Sequence, residues 1–239
     1  MSLQAPIIDL SREVLAEARH VFLSAEPYPH VVLDDLWNVD FLSAVAAEVP
    51  QIETWTGEKN FFGAVQKKWL SDWQHMPPTI RELLAYLNGI SFMRILTEIT
   101  TQQDLVSDPY LEGGGVHSIG TGGFLKLHTD FNWHEKLQLI RRLNVLIYLN
   151  ADWKDSYGGD LLFATDNNGK TEVRKRIAPI FNRTVIFITD DRSIHGHPEP
   201  LNCPAEVRRN SIATYYYQSP NGRYISDNVK KRTSTHYFK

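Results

Sequence analysis

The sequence predicts a mainly β protein with helices, a double-stranded β-helix or jelly roll supported by N-terminal α-helices. Three observations lead there. The 239 residues are 42% apolar and 22% charged, enough to bury a sizeable core and too apolar for a disordered chain. Helical spacing is common before Gly113. After it, seven short strand-like segments follow one another, separated by turn residues.

The helices come first. Ser11 to Phe22 places Val14, Leu15, Ala18, Val21 and Phe22 on one face. Asp40 to Val49 repeats the pattern, with Asn38 or Asp40 as N-cap. Thr79 to Leu87 follows the start signal Pro77-Pro78, and Ser91 to Ile99 is a fourth helix. Between them, His30 to Leu33 reads as a short strand. Glu53 to Asp72 reads as a loop whose aromatic residues either face a substrate or anchor it to the core.

The strands are Val116 to Ile119, Phe124 to His128, Leu143 to Leu149, Leu161 to Ala164, Val173 to Ile177, Thr184 to Ile188 and Ser211 to Tyr217. Their separators include Gly113-Gly114-Gly115, Gly122-Gly123, Gly158-Gly159 and Asn167-Asn168-Gly169. One domain is expected: a mostly helical support region over 1–112, the β core over 113–220 and a basic tail over 221–239. The tail carries Arg223, Lys230, Lys231, Arg232 and Lys239 against Asp227 and reads as a solvated terminal segment.

Several classes of function are disfavoured. A formal net charge of −3 offers no basic field for nucleic acid. No apolar run reaches the roughly 18 residues of a membrane span, and the N-terminus lacks a signal-peptide core, so a soluble cytoplasmic protein is expected. The single cysteine, Cys203, rules out an intrachain disulfide and fits a reducing compartment.

The sharpest local feature is His128-Thr129-Asp130. Side chains two apart on a strand share a face, so His128 and Asp130 can hold one ion, and imidazole plus carboxylate suits iron, manganese or zinc. A third ligand is available after the strand Thr184 to Ile188, as His195 or His197. Alternation cannot choose between these two, and the spacing from the strand favours His195. Two histidines and a carboxylate leave coordination positions open for oxygen chemistry. Arg209 and Ser211 share a face at the start of the last strand, where a guanidinium can grip a carboxylate through two hydrogen bonds.

Taken in order, these residues resemble the iron(II)- and 2-oxoglutarate-dependent oxygenase superfamily, in its prolyl-4-hydroxylase-like branch, over roughly Pro27 to Gln218. Gly123 to Asp130 resembles the strand leading into the first two ligands. Leu146-Ile147-Tyr148-Leu149-Asn150, Gly158-Gly159-Asp160-Leu161 and Tyr28 to Asp35 resemble further core segments. The resemblance implies catalytic and metal-binding roles for His128, Asp130 and His195. It implies 2-oxoglutarate held by Arg209, Tyr148 and Ser211, and Fe(II) and O₂ as the other participants. Because halogenases of this kind replace the carboxylate that Asp130 supplies, it implies hydroxylation of an unactivated C–H bond, with release of succinate and CO₂. The substrate would be a small molecule or an amino-acid or peptidyl group. Asn132, Trp133 and Arg141 or Arg142, in a polar loop after the ligand strand, are the candidate substrate contacts; the same stretch reads equally as a folded surface loop with Trp133 packed down. Two other functions fit the same residues: a non-catalytic binding protein on this fold, and a cupin-like metalloenzyme that does not use 2-oxoglutarate. Oligomeric state leaves no mark in the sequence.

Overall fold

A computed structural model describes residues 10–220 and 231–238. Helix α1 (Arg12–Ser24) starts where the Ser11 hydroxyl accepts from the Val14 amide, and it buries Ala18 and Phe22. Strand β1 (His30–Asp34) leads to α2 (Val39–Glu48), capped by Asn38, whose side chain accepts from the Phe41 amide. Strands β2 (Gly57–Phe61) and β3 (Ala64–Leu70) precede α3 (Pro78–Leu87) and α4 (Ile90–Thr100). Glu48, the last residue of α2, accepts from the Thr79 and Ile80 amides at 3.0 and 2.9 Å, so one helix end caps the next helix.

The β core follows: β4 (Val106–Ser107), β5 (Gly115–Thr129), β6 (Trp133–His134), β7 (Leu139–Tyr148), β8 (Leu161–Asn167), β9 (Lys170–Ile177), β10 (Arg183–Ile188), β11 (Ile194–His197) and β12 (Arg209–Gln218). A last short strand, β13 (His236–Tyr237), pairs with β5. Pairing is antiparallel in the order β1-β10-β7-β12-β5-β11-β8-β9. The sheet curls at β5. Its first part pairs with β12, from Gly115 opposite Ala213 to Ile119 opposite Arg209. Its end pairs with β11, where His128 stands opposite His195. The two expected strands on either side of Gly122-Gly123 are thus one bent strand. Gly122, at φ +74°, makes the bend, and Leu201 bridges it through hydrogen bonds from Gly122 N and to Gly123 O.

The helices cover one face of this sheet. Phe22, Phe41, Leu42, Ile80, Leu84, Phe92 and Leu96 join Val145, Ile147, Val185, Phe187 and Ile212 in one core. Trp37, fully buried, donates its Nε1–H to Thr184 Oγ1 on β10 at 2.9 Å. No helix among the described residues is long and apolar enough to cross a membrane.

Three segments depart from the sequence reading. Residues 53–72, expected as a loop, contain the β2–β3 hairpin, and β3 runs along β5 from Leu125 to Val116. Its alternation is masked because one face lines a cavity instead of a core. Residues 132–142, expected as a polar surface loop, form the β6–β7 turn and bury Asn132, Trp133, His134 and Arg141. Burial is tolerated because the polar groups are paired: His134 Nε2 lies 3.2 Å from Asp108 Oδ1, and Arg141 meets Asp130. The described end of the basic tail, 231–238, is docked on β5 and not left in solvent. Arg223, Asp227, Lys230 and Lys239 lie outside the described residues.

Candidate active site

Strand β5 delivers His128 and, one residue past its end, Asp130; β11 delivers His195. All three are buried, at 4%, 8% and 6% exposure, and one ligand atom from each lies within 4.8 Å of the others. His128 Nε2 is 3.5 Å from Asp130 Oδ1, and His195 Nε2 is 3.4 Å from Asp130 Oδ2. The imidazole rings are 4.4 Å apart, centre to centre. Adjacent ligands of an octahedral ion with bonds of about 2.1 Å stand roughly 3 Å apart, so the two imidazole–carboxylate distances of 3.5 and 3.4 Å are close to what one ion needs.

The tautomers are set by the backbone. His128 Nδ1 lies 2.8 Å from Lys126 O, and His195 Nδ1 lies 2.9 Å from Ser193 O. A carbonyl accepts only, so each Nδ1 carries the proton and each Nε2 turns a lone pair to the centre. Burial pulls the His195 imidazole down to about 4, against the Asp130 carboxylate, which favours its charged form. His195 is therefore neutral at pH 7, as a ligand must be. For Asp130, burial pushes upward, but Arg141, then His195 and His128, outweigh it and hold the carboxyl well below its usual range. The donor set fits a divalent first-row metal such as Fe(II).

Asp130 is held from behind. Arg141 Nη2 lies 2.9 Å from its Oδ2, and Asn144 Nδ2 donates to the same oxygen at 2.8 Å. Asn144 Oδ1 in turn accepts from Arg141 Nε and Thr189 Oγ1. The Arg141 guanidinium lies flat against Tyr215, 3.3 Å from the ring centre. Nothing in the sequence pattern marks Asn144; its role depends on β7 running beside β12, two strands away from the ligands.

A narrow recess of about 80 Å³ opens on the triad, lined by Arg209, Ser211, Leu146, Leu161, His117 and His197 among others. Arg209 donates through Nε to Gly159 O at 2.7 Å and through Nη2 to Tyr148 Oη at 3.2 Å. Its Nη1 has no protein partner among the described residues. Tyr148 is fully buried behind Arg209 and meets the recess through the hydrogen bond it accepts from Nη2. His197 sits in the recess but outside the group of three ligand atoms, and neither ring nitrogen has a hydrogen-bond partner among the described residues. Burial, then Arg209 and Lys67, push its pKa well below the usual value, so the ring is neutral.

A second cavity of about 400 Å³ opens on the other side of His128 and Asp130. It is lined by the β2–β3 hairpin (Lys59, Phe61, Lys67), by Glu112, Phe131, Arg141 and Tyr215, and by Thr233, Ser234, Thr235 and Tyr237 of the docked segment. Of the expected substrate contacts, only Arg141 reaches it. Trp133 is buried beneath Lys231, 3.7 Å from the ring centre. Asn132 accepts from the Arg232 amide at 2.7 Å. Arg142 points to the other face, where it donates to Gln102 Oε1 at 3.2 Å. Alternation along β7 explains the last: Arg141 and Arg142 cannot share a face. Lys59, Lys67 and the docked segment carry no sequence motif.

Comparison with known proteins follows the same lines. Residues 114–217 match the family model described as the 2OG-Fe(II) oxygenase superfamily. Among solved structures, the fold resembles a prolyl-4-hydroxylase from Pseudomonas putida, with TM-score 0.57 and 16% identity, over 86% of this chain and 98% of that one. It resembles a prolyl 4-hydroxylase from Phytophthora capsici, with TM-score 0.56 and 20% identity, over 91% of this chain and 69% of that one. It also resembles HygX from Streptomyces hygroscopicus, solved with nickel, 2-oxoglutarate and hygromycin B bound, with TM-score 0.58 and 11% identity, over 95% of this chain and 97% of that one.

Proposed function

We propose that the chain is a 2OG-Fe(II) oxygenase, the superfamily whose model matches residues 114–217, and that it hydroxylates an unactivated C–H bond of a small molecule. In this reading His128, Asp130 and His195 hold Fe(II), and Arg209 pairs the distal carboxylate of 2-oxoglutarate with Ser211 beside it. Iron held there would, with 2-oxoglutarate and O₂, supply the oxidising power for putting one oxygen atom into the C–H bond, the other going to succinate as CO₂ is lost.

The observation that carries the reading is the convergence of two features on one recess: three free ligand atoms and a buried guanidinium with one amino group unpaired. A divalent metal neutralises Asp130, while Arg209 offers the recess a charge that only an anion matches. The chain's own residues then divide the work. The Nδ1–carbonyl bonds keep both imidazoles aimed, Asn144 and Arg141 fix the carboxylate, and Leu146 and Leu161 exclude water from the carbon chain of the bound acid.

A small substrate is favoured over an extended peptide by the segment 231–238. It pairs with the end of β5 and walls the 400 Å³ cavity, a volume that suits a compact ligand. HygX, a relative in fold, was solved with a small molecule, hygromycin B, in place.

The test is anaerobic loading with Fe(II) followed by 2-oxoglutarate, read as the visible metal-to-ligand absorption, then succinate formation on admitting O₂. The absorption is expected in the wild type, lost in His128→Ala and weakened in Arg209→Leu. A metal-loaded wild type that binds no 2-oxoglutarate would sink the reading in favour of a cupin-like metalloenzyme.

A further inference from the structure

The β2–β3 hairpin carries an arrangement that structure alone does not require. Its two faces differ in charge pairing. On one face Glu58 stands opposite Lys68, the usual cross-strand match of opposite signs. On the other, Lys59 stands opposite Lys67, and both line the 400 Å³ cavity beside the triad. Like charges directly opposite one another are destabilising. Neither lysine has an ion pair or hydrogen bond among the described residues; Lys59 only leans on the Trp69 ring, 5.5 Å from its centre.

The surroundings add to the surplus. Arg141, 1% exposed, also lines the cavity, and its Nη1 has no hydrogen-bond partner among the described residues. The two carboxylates there are engaged: Asp130 in the triad, and Glu112, whose Oε2 is 3.4 Å from His134 Nε2. Half-buried Lys67 shows the strain electrostatically: burial, then Lys59, pull its ammonium down to about 7.

We propose that Lys59 and Lys67 form the anion-binding element of the substrate cavity, and that the substrate is a small molecule bearing a carboxylate or phosphate. The oxyanion bridges the two ammonium groups and turns their repulsion into binding. Lys67 also borders the recess of Arg209, so the anchored group lies close to the triad and sets which carbon faces it. The proposal rests on the oxygenase reading above for the meaning of that carbon, while the anion site itself is tested without turnover.

The experiment uses protein loaded with Ni(II) and 2-oxoglutarate and two matched probe pairs: N-acetylglycine with N-acetylglycinamide, and glycerol 3-phosphate with glycerol. Melting temperature is followed against probe concentration. The expected result is a saturable rise with at least one anionic probe and none with its neutral partner; which anion responds identifies the source. In K59Q/K67Q the concentration for half-effect rises by at least about ten-fold, the loss expected for charge-assisted hydrogen bonds. The single variants K59Q and K67Q melt no lower than wild type without probe, which separates lost binding from lost folding. Affinity for 2-oxoglutarate stays unchanged in both. Equal response to neutral probes, no response in wild type, an undiminished response in the double variant, or a loss of 2-oxoglutarate affinity in K67Q would each overturn the proposal. Failure of the oxygenase reading is seen separately, as a wild type that binds no 2-oxoglutarate whatever the anions do.

Discussion

Asn144 Nδ2 donates to Asp130 Oδ2 over 2.8 Å, on the oxygen that also lies 2.9 Å from Arg141. This contact fixes the plane of the carboxylate before any metal arrives. Asn144→Ala is expected to lower metal affinity roughly 10- to 100-fold, the usual cost of losing such a support. Calorimetric titration with Mn(II) checks it; an unchanged affinity would mean that Arg141 alone orients the carboxylate.

Asp130→Ala removes one of the three proposed metal ligands and strands Arg141, which is buried and has Asp130 as its only acidic partner among the described residues. On the function proposed above, O₂-dependent succinate formation should vanish. The metal-free variant should also lose about 3 kcal/mol of stability, because an unpaired buried charge remains. Urea denaturation of metal-free wild type and variant measures the second effect independently of the first.

Gly159 has φ +77°, and a Cβ there would stand 2.5 Å from Leu201 Cδ2 and 3.1 Å from Arg209 Cδ. Its carbonyl also accepts from Arg209 Nε. Gly159→Ala should displace the guanidinium and raise the KM for 2-oxoglutarate at least about ten-fold, as loss of a charge-assisted contact predicts. Metal affinity should not change. A parallel fall in metal affinity would point to wider damage.

Asp34 and Arg183 join the edges of β1 and β10 through two contacts of 2.7 Å. The hydrogen bond from Arg183 holds the Asp34 carboxyl below its usual value, with burial opposing. A lowered folded pKa gives stability that is complete above the unfolded value and fades as pH falls through the folded one. The pair is partly exposed, so its worth is under about 1 kcal/mol. Asp34→Asn should be less stable than wild type by that amount at pH 7, and the difference should close in acid. A gap that widens on acidification would reverse the assignment.

Arg232 ties the docked segment down. It donates to Thr129 Oγ1 at 3.1 Å and Asp130 O at 3.2 Å, and pairs with Asp191 at 2.8 Å. Arg232→Ala should speed hydrogen exchange at the Phe238 amide, which donates to Leu127 O, with metal affinity within a few-fold of wild type. Unaltered exchange would show that β13 pairing alone retains the segment.

How much of this was legible beforehand depends on what each residue responds to. His128 and Asp130 share a face through strand alternation, a local rule, and the β-rich core from Gly113 followed from short strands and glycine turns. The helices were legible from spacing and caps, Asn38 among them. Lys59 and Lys67 were invisible because their hairpin lines a cavity and lacks an apolar stripe. Asn144 and Arg232 act through neighbours distant in sequence. Tyr148 is assigned to 2-oxoglutarate by the resemblance alone, and the contact that the structure gives its hydroxyl is with Arg209. Trp133, Asn132 and Arg142 were expected at the cavity because a polar stretch resembles a loop. Paired burial, as in Arg141 with Asp130, is what such a stretch conceals.

The bent strand β5 has a kinetic consequence. It is paired by β3, β11, β12 and β13, and His128 meets His195 only when β5 and β11 close in the right register. A slip of one residue would turn His128 to the opposite face. These contacts join distant parts of the chain and form slowly, after the local helices. During refolding, capture of a metal ion should therefore lag behind the recovery of helical signal and mark the moment at which the sheet has chosen its register.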